Sequence, residues 1–546
     1  MRIPLLPLLV LCLGGLLHAE TKPNVLFICV DDLKPTLGCY GDSFAKTPQI
    51  DRLAARSLLF ESAYCNQAVC SPSRNSLMLG LRPQTLGIYD LPTNFRVSVP
   101  EAVTLAQHFQ ASGYRTEAMG KIFHRGHGND EDKASWTVPH WSPSAKTYAL
   151  PESLQNQVKS KNGPRGPAFE SAPVEDDFYA DGQIAREAVA RLEAAAQKPE
   201  EPFFIGVGFM RPHLPFVAPQ RYWDLYPEDE VPMPAVTSAP EGAPEYAGQY
   251  GGELRQYRDV PESRDLGDTY ARQLIHGYYA ATSYMDAQLG LVLDALDRTG
   301  LAESTIIVFW GDHGWHLGDH QFWCKHTNYE QAAHIPFLMS VPGKAAGKRT
   351  AALIETVDIY PSLCEVAGLP ARESLDGVSF APLFDDPAQS ARESIIHVYP
   401  RNNLLGRAIR TERYRMVEWK EIGADPSTAE FELYDYEADP LETRNLAGDQ
   451  PETLAQLQAI LATHPEARPQ VNKAKTAGPA TATKPPQDRS AAFRKRDADK
   501  DGKLTKEEFF LNQPDPEAAP TRFPIFDANR DGFLSEEEYV KSGKVK

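Results

Sequence analysis

Short apolar strands ending in polar clusters, with amphipathic helices between them, predict an α/β fold: a mostly parallel sheet sandwiched by helices. Three observations carry that expectation. Asn24 to Val30 (NVLFICV), Pro202 to Phe209 (PFFIGVGF) and Thr305 to Trp310 (TIIVFW) are β-branched or aromatic runs of strand length. Helical patterns separate them, at Ile184 to Ala196 and Tyr278 to Leu296. Each run stops at residues able to do chemistry: Asp31-Asp32, Arg211-Pro212-His213 and Asp312-His313. Chemistry in parallel sheets gathers at the carboxyl ends of strands.

Taken in order, residues 1–19 read as a signal peptide, with Arg2, the apolar run Leu5 to Leu17, and Leu17-His18-Ala19 as cleavage site. No other segment approaches the roughly 20 apolar residues that span a bilayer, so a soluble, secreted or periplasmic protein is expected. Residues 20–385 form the expected catalytic domain. In 386–463, Ile395 to Val398, Arg407 to Thr411, Tyr414 to Trp419 and Phe431 to Asp435 suggest a small antiparallel sheet, followed by a helix near Pro451 to Leu461. This is a smaller α+β subdomain. Residues 464–489 are rich in Pro, Ala, Thr and Lys and read as a linker.

Residues 490–546 hold one pattern twice. Asp497-x-Asp499-x-Asp501-Gly502 ends at Glu508, and Asp527-x-Asn529-x-Asp531-Gly532 ends at Glu538. These are calcium loops of an all-α EF-hand pair, with oxygen ligands at positions 1, 3, 5 and 12 and the backbone carbonyls of Lys503 and Phe533 at position 7. Pro520 and Pro524 interrupt the helix entering the second loop. The net charge of −18 lies almost wholly upstream, since 490–546 carry 11 Lys plus Arg against 12 Asp plus Glu. No basic domain stands out, which argues against nucleic acid as a partner. Six cysteines follow the signal peptide (Cys29, Cys39, Cys65, Cys70, Cys324 and Cys364), too few for a disulfide scaffold at this length.

The decisive stretch is Cys70-Ser71-Pro72-Ser73-Arg74. Pro72 favours a first helical turn, which puts residue 70 at a helix N-terminus where free amides favour anions. Arg74, four residues on, shares its face. With the apolar helix and the Gly80-Leu81-Arg82-Pro83 turn behind it, the stretch resembles the signature of the type I sulfatases, whose cysteine is oxidised to formylglycine. That resemblance implies an alkaline-phosphatase-like fold and a formylglycine-generating or sulfatase-maturating enzyme as a partner during biosynthesis. A hydrated aldehyde offers one hydroxyl to attack sulfur and another to expel sulfate, dividing one displacement into two steps. Asp31, Asp32, Asp312 and His313, with residue 70, would complete a calcium site, magnesium being the alternative. His313 departs from the Asn or Gln found here in many sulfatases.

Four further stretches make the chain similar to the iduronate-2-sulfatase branch of that family, from about residue 23 to 462. They are Val30-Asp31-Asp32-Leu33, Gly120-Lys121-Ile122-Phe123-His124, Arg211-Pro212-His213-Leu214-Pro215-Phe216, and Asp312 to His320. The resemblance implies that Lys121 and His124 sit beside sulfate and formylglycine. It implies that His213 is the general acid for the leaving alcohol, and that Lys325 contacts sulfate. Trp315, His316, His320 and Trp323 read as pocket walls or packing. The implied substrate is a sulfated sugar, a 2-O-sulfated uronic acid of a glycosaminoglycan or related polysaccharide. The competing readings are a phosphatase, phosphodiesterase or phosphonate hydrolase of the same superfamily, and an inactive calcium-dependent binding protein. Residues 125–180 and 217–270 carry no motif that decodes selectivity.

Overall fold

The computed structural model describes residues 22–471, apart from 161–162, 345 and 371, and residues 489–541, apart from 511–522, 524–525 and 528. The expected signal peptide, most of the expected linker and the two prolines before the second expected calcium loop lie outside the described residues. The chain divides into two compact units, Met1–Lys473 and Ala474–Lys546.

In the first unit a seven-stranded sheet carries the fold. Its strands are β1 (Asn24–Val30), β2 (Leu58–Tyr64), β3 (Arg115–Gly120), β4 (Phe203–Phe209), β5 (Thr305–Gly311), β6 (Phe337–Ser340) and β7 (Lys348–Glu355). Their order is β7-β2-β6-β5-β1-β4-β3. Only β6 opposes its neighbours; β1 pairs in parallel with both β4 and β5, and β3 with β4.

The period-2 rule explains why β1 is apolar throughout. Val25, Phe27 and Cys29 enter one core with Leu77, Leu105, Phe109 and Leu363, from helices α1 (Cys70–Leu79), α2 (Leu105–Ala111) and α5 (Ile359–Val366). Leu26, Ile28 and Val30 enter the other core with Ile184, Leu192, Leu289 and Leu293, from α3 (Ala180–Ala196) and α4 (Asp268–Arg298). Both faces are therefore dry, and the strand ends are left for chemistry.

Strands β8 (Ile395–Arg401), β9 (Leu404–Arg410), β10 (Tyr414–Glu421) and β11 (Glu430–Asp435) form the expected antiparallel sheet. Helix α6 (Pro451–Leu461) packs Leu457 and Leu461 on it with Ile396, Ile409 and Met416. The segment after α6 was expected to begin a linker at 464. Its first residues instead bind the first unit, with Arg468 N donating to Gln84 O (2.9 Å) and Val471 N to Gly87 O (2.7 Å).

The second unit has its own core of Phe493, Leu504, Phe509, Phe523, Leu534 and Tyr539. It is not purely helical: Lys503–Leu504 and Leu534–Ser535 pair antiparallel, joining the two loops.

Candidate active site

Four strand ends and one helix start build the site. Asp31 and Asp32 follow β1, and Asp312 and His313 follow the adjacent β5, in register with Val30 opposite Gly311. Asp32 holds a left-handed φ of 60°, uncommon for a residue with a side chain. Its amide donates to Asp312 Oδ1 (2.9 Å) and its carbonyl accepts from Tyr278 Oη (2.8 Å), which fix that conformation. Lys121 and His124 follow β3, and His213 follows β4. Gly208 lets those two strands approach, since a Cβ there would lie 2.3–2.4 Å from the Lys121 backbone. Cys70 is the first residue of α1, whose Val69 N-cap offers no side-chain acceptor for the orphan amides.

The side chains converge. Cys70 Sγ lies 3.9 Å from Asp32 Oδ1 and 3.4 Å from His313 Nε2. Lys325 Nζ donates to both Asp32 carboxylate oxygens at 2.9 Å. Arg74, fully buried, does not touch residue 70 directly. It donates through Nε to Asp312 Oδ2 and through Nη2 to Asp31 Oδ1, both at 3.0 Å, and through Nη1 to the Ile122 carbonyl at 3.1 Å. Lys121 pairs with the other Asp31 oxygen. Arg74 thus clamps three strand ends together, and the expectation that it orients residue 70 becomes one of orienting the carboxylates beside it.

Charge balance tests whether a divalent cation fits. Burial raises Asp31, but Lys121, His213 and Arg74 outweigh it and hold this carboxyl well below its ordinary range. Asp32 and Asp312 are different: burial pushes both up despite their cationic neighbours. The same negative field draws His313 up to about 9, with burial opposed by Asp312 and the residue 70 sulfur. Asp32, Cys70, Asp312 and His313 place ligand atoms within 4.8 Å of one another, and Asp31, Asp32, Cys70 and His213 do likewise. Hard carboxylates lacking full counter-charge are a donor set that suits calcium or magnesium. The two groups share Asp32 and residue 70.

Residue 70 opens on a cavity of about 390 Å³, lined also by Lys121, His124, Arg165, His213, Glu253 and Lys325. Burial raises the Cys70 thiol, yet Lys121 and Lys325 bring it below its ordinary value, the mark of a positive potential at that atom. His213 Nδ1 faces the Leu214 carbonyl at 2.6 Å, which assigns its proton there and points Nε2 at Glu253 Oε1 (3.2 Å). Burial lowers His213, but Asp32 and Glu253 raise it above its ordinary value. His124 is held neutral, lowered to about 2 by burial and Lys121, and its buried Nδ1 has no hydrogen-bond partner.

All six expected catalytic residues therefore gather at this place. Trp315 lies outside the cavity and supports Lys325 from below, its ring centroid 5.0 Å from Nζ. His316 bonds Thr327 Oγ1 at 2.8 Å, and His320 bonds the Ser238 carbonyl at 2.9 Å; neither lines the residue 70 cavity. Sequence reasoning missed Glu253, which bridges His213 and Lys325 (Oε2 to Nζ, 3.1 Å). It missed Arg165, His127 and His326 too. Each lies in a loop without periodicity, so no signal pointed to them.

In the second unit Asp497, Asp499 and Asp501 cluster within 4.8 Å. Asp497 accepts from the Asp501 and Gly502 amides at 3.1 and 2.9 Å, and Asp527 repeats this with Asp531 and Gly532 at 3.1 and 3.0 Å. Glu508 and Glu538 turn back onto the loops, accepting from Thr505 N (2.9 Å) and Ser535 N (3.0 Å). Asn529 Nδ2 donates to Asp531 at 3.2 Å. Lys503 and Phe533 occupy the strand-side position, with φ +85° and +88° at the preceding Gly502 and Gly532 making the sharp turns.

The sulfatase family model matches residues 23–369, the C-terminal model of N-sulphoglucosamine sulphohydrolase matches 318–466, and the EF-hand model matches 490–509 and 522–541. The chain is 32% identical to human iduronate 2-sulfatase over 510 residues, covering 78% of this chain and 91% of that one. It is 31% identical to a sulfatase of Formosa agariphila over 440 residues, covering 78% and 83%. A phosphonate monoester hydrolase from Silicibacter pomeroyi shares the fold, with a TM-score of 0.66 at 22% identity over 81% of this chain and 95% of that one. No described helix is long and apolar enough to cross a membrane. The alkaline-phosphatase-like sheet, the Cys70 motif at its strand ends and these matches together show that the chain belongs to the sulfatase family, a sulfuric ester hydrolase with an EF-hand pair at its C-terminus.

Proposed function

We propose that the protein removes sulfate from a sulfated sugar, a 2-O-sulfated uronic acid or a related unit of a sulfated polysaccharide, through a formylglycine at residue 70. The observation that carries this reading is residue 70 at a helix start, beside Asp32 and His313, facing a cavity with two lysines. The likeness to iduronate 2-sulfatase supports the choice of sugar. Formylglycine, when hydrated, supplies a geminal diol in which one hydroxyl is the nucleophile and the other regenerates the aldehyde. Asp31, Asp32, Asp312, His313 and residue 70 would hold calcium or magnesium, which supplies charge compensation for a sulfate oxygen.

The chain's own residues do the rest. Lys121 and Lys325 bind sulfate oxygens and neutralise the charge that builds on them. His213, protonated at Nε2 and steadied by Glu253, donates to the departing sugar oxygen. His124, neutral and with a free Nδ1, accepts the proton released as the bound sulfate leaves. The C-terminal loops, with Asp497, Asp499, Asp501 and Glu508 in one and Asp527, Asn529, Asp531 and Glu538 in the other, take calcium as a structural or docking module. Export to the periplasm or the medium, where calcium is plentiful, suits that module.

Cys70→Ala abolishes sulfate release from every substrate, checked by ion chromatography on a panel of defined sulfated disaccharides with phosphate esters alongside. Mass spectrometry of the residue 70 peptide from the native host shows the aldehyde mass. A fully active alanine variant, or phosphate esters turned over better than sulfate esters, rejects the reading.

A further inference from the structure

Among the described residues, every lysine and arginine lining the cavity but one is already matched. Lys121 pairs with Asp31, Lys325 with Asp32 and Glu253, His213 with Glu253, and Arg125 with Asp130. His124 and His326 are neutral, lowered to about 2 and about 3 by burial and a neighbouring lysine. Arg165 is the exception. Among the described residues no carboxylate forms an ion pair with it, and its buried Nε has no hydrogen-bond partner.

Its placement is firm all the same. The Arg165 amide and carbonyl exchange hydrogen bonds of 2.9 Å with Val158, and the adjacent Gly166 carbonyl accepts from Arg258 N at 2.9 Å. The guanidinium lies 4.9 Å from the centroid of the Tyr257 ring, and Nη1 donates to Tyr257 Oη at 2.7 Å. Tyr257 is itself buried. A planar, permanently charged fork is thus fixed in the cavity wall, and the two segments holding it are the ones that carried no motif. An arginine so held is preorganised for a second anion, and its geometry suits a carboxylate.

We propose that Arg165 is a specificity residue that binds the carboxylate of the uronic acid whose sulfate occupies the Lys121–Lys325 end of the cavity. This rests on the substrate reading above. It assigns the second charge of the substrate to a different residue from those that hold the first, so the enzyme would discriminate a sulfated uronate from the same sugar bearing a neutral hydroxymethyl group.

The test uses the matured full-length enzyme and two disaccharides, a 2-O-sulfated unsaturated uronate joined to an N-acetylated amino sugar and its carboxyl-reduced counterpart. The wild type favours the carboxylate form by tenfold or more in kcat/KM. Arg165→Gln brings that ratio close to one, mainly through KM, and Arg165→Lys retains part of it. Tyr257→Phe, which keeps the ring but loses the tethering hydroxyl, gives an intermediate ratio in a protein with little reason to misfold. Equal loss on both disaccharides, or a wild-type ratio near one, overturns the assignment. So does a penalty that appears only when the amino sugar is N-sulfated, which would mean that Arg165 meets a sulfate. If neither disaccharide releases sulfate while other sulfated sugars do, the uronate reading itself has failed and Arg165 falls with it.

Discussion

Glu253 shows how one carboxylate can serve two neighbours. It holds Lys325 at 3.1 Å and His213 at 3.2 Å, and those cations, outweighing burial, keep it well below its ordinary range. Its charge in turn helps raise His213, after Asp32 and against burial. Glu253→Gln removes that support, so the imidazolium loses its proton at lower pH. The alkaline limb of the kcat profile therefore shifts to lower pH, and kcat/KM falls by about 10- to 100-fold, a part of the roughly 100- to 10,000-fold that general acid catalysis supplies. A pH–rate series on one sulfated disaccharide checks both, and an unmoved alkaline limb would rule out this role. At this scale the sequence was readable where chemistry sits in a contiguous motif. Cys70 and Arg74 share one helical turn, and Lys121, His124, His213 and Lys325 each lie in a recognisable stretch. Glu253 and Arg165 do not, because their roles come from loops folded over the strand ends, and nothing local marks a loop residue that will meet a histidine 40 positions away.

Elements were readable in proportion to their apolar content. The run Asn24 to Val30 coincides with its strand because both faces are dry. The helix read from Tyr278 to Leu296 extends over Asp268–Arg298, and its first turns carry Leu274 and Ile275 into a separate core with Trp315 and Trp323, away from the sheet that the rest of the helix covers. Strand Arg115–Gly120 gave no signal: its buried Glu117 looks like a surface residue until Arg191 (2.7 Å) and Arg115 (2.9 Å) are seen to neutralise it. Glu355, ending β7, has a similar disguise and a larger job. It accepts from Arg82 Nε (2.6 Å), Arg392 Nη1 (2.8 Å), Asn66 Nδ2 (2.8 Å) and Ile396 N (3.0 Å), tying the catalytic sheet to the C-terminal sheet. Burial raises this carboxyl, but Arg392 and Arg82 outweigh it and hold it below its ordinary 4.5. A depressed carboxyl stabilises the fold fully above its unfolded pKa, and that contribution fades as pH falls through the folded value. Glu355→Gln should cost about 3–5 kcal/mol near neutrality, as expected for stranding buried cations. The gap in melting temperature between wild type and variant then narrows below pH 4.5. A gap that stays constant with pH would mean that packing, not charge, explains the loss.

At the scale of the molecule the chain holds two units with separate cores. Every residue proposed to touch sulfate lies between Asp31 and Lys325, and the cores that support them end at Ala467. Among the described residues of the second unit, the two EF-hand loops are joined by the pairing of Leu504 with Leu534. Nothing in the chemistry of sulfate release calls on them. Removal of residues 474–546 should therefore leave kcat/KM on a small sulfated disaccharide within about twofold, while a long polysaccharide, if the module docks it, loses affinity. In the intact protein, calcium at a hundred times its dissociation constant stabilises the folded loops by about 2.7 kcal/mol. A transition belonging to that unit should rise in calorimetry when calcium is added. The rise disappears when Asp501 and Asp531 are both changed to Asn, and the melting of the catalytic unit stays in place. The decisive measurement is the truncated enzyme itself: if it melts like the catalytic unit of the parent yet releases no sulfate from the disaccharide, the C-terminal unit takes part in catalysis and the division of labour argued from the two cores is wrong.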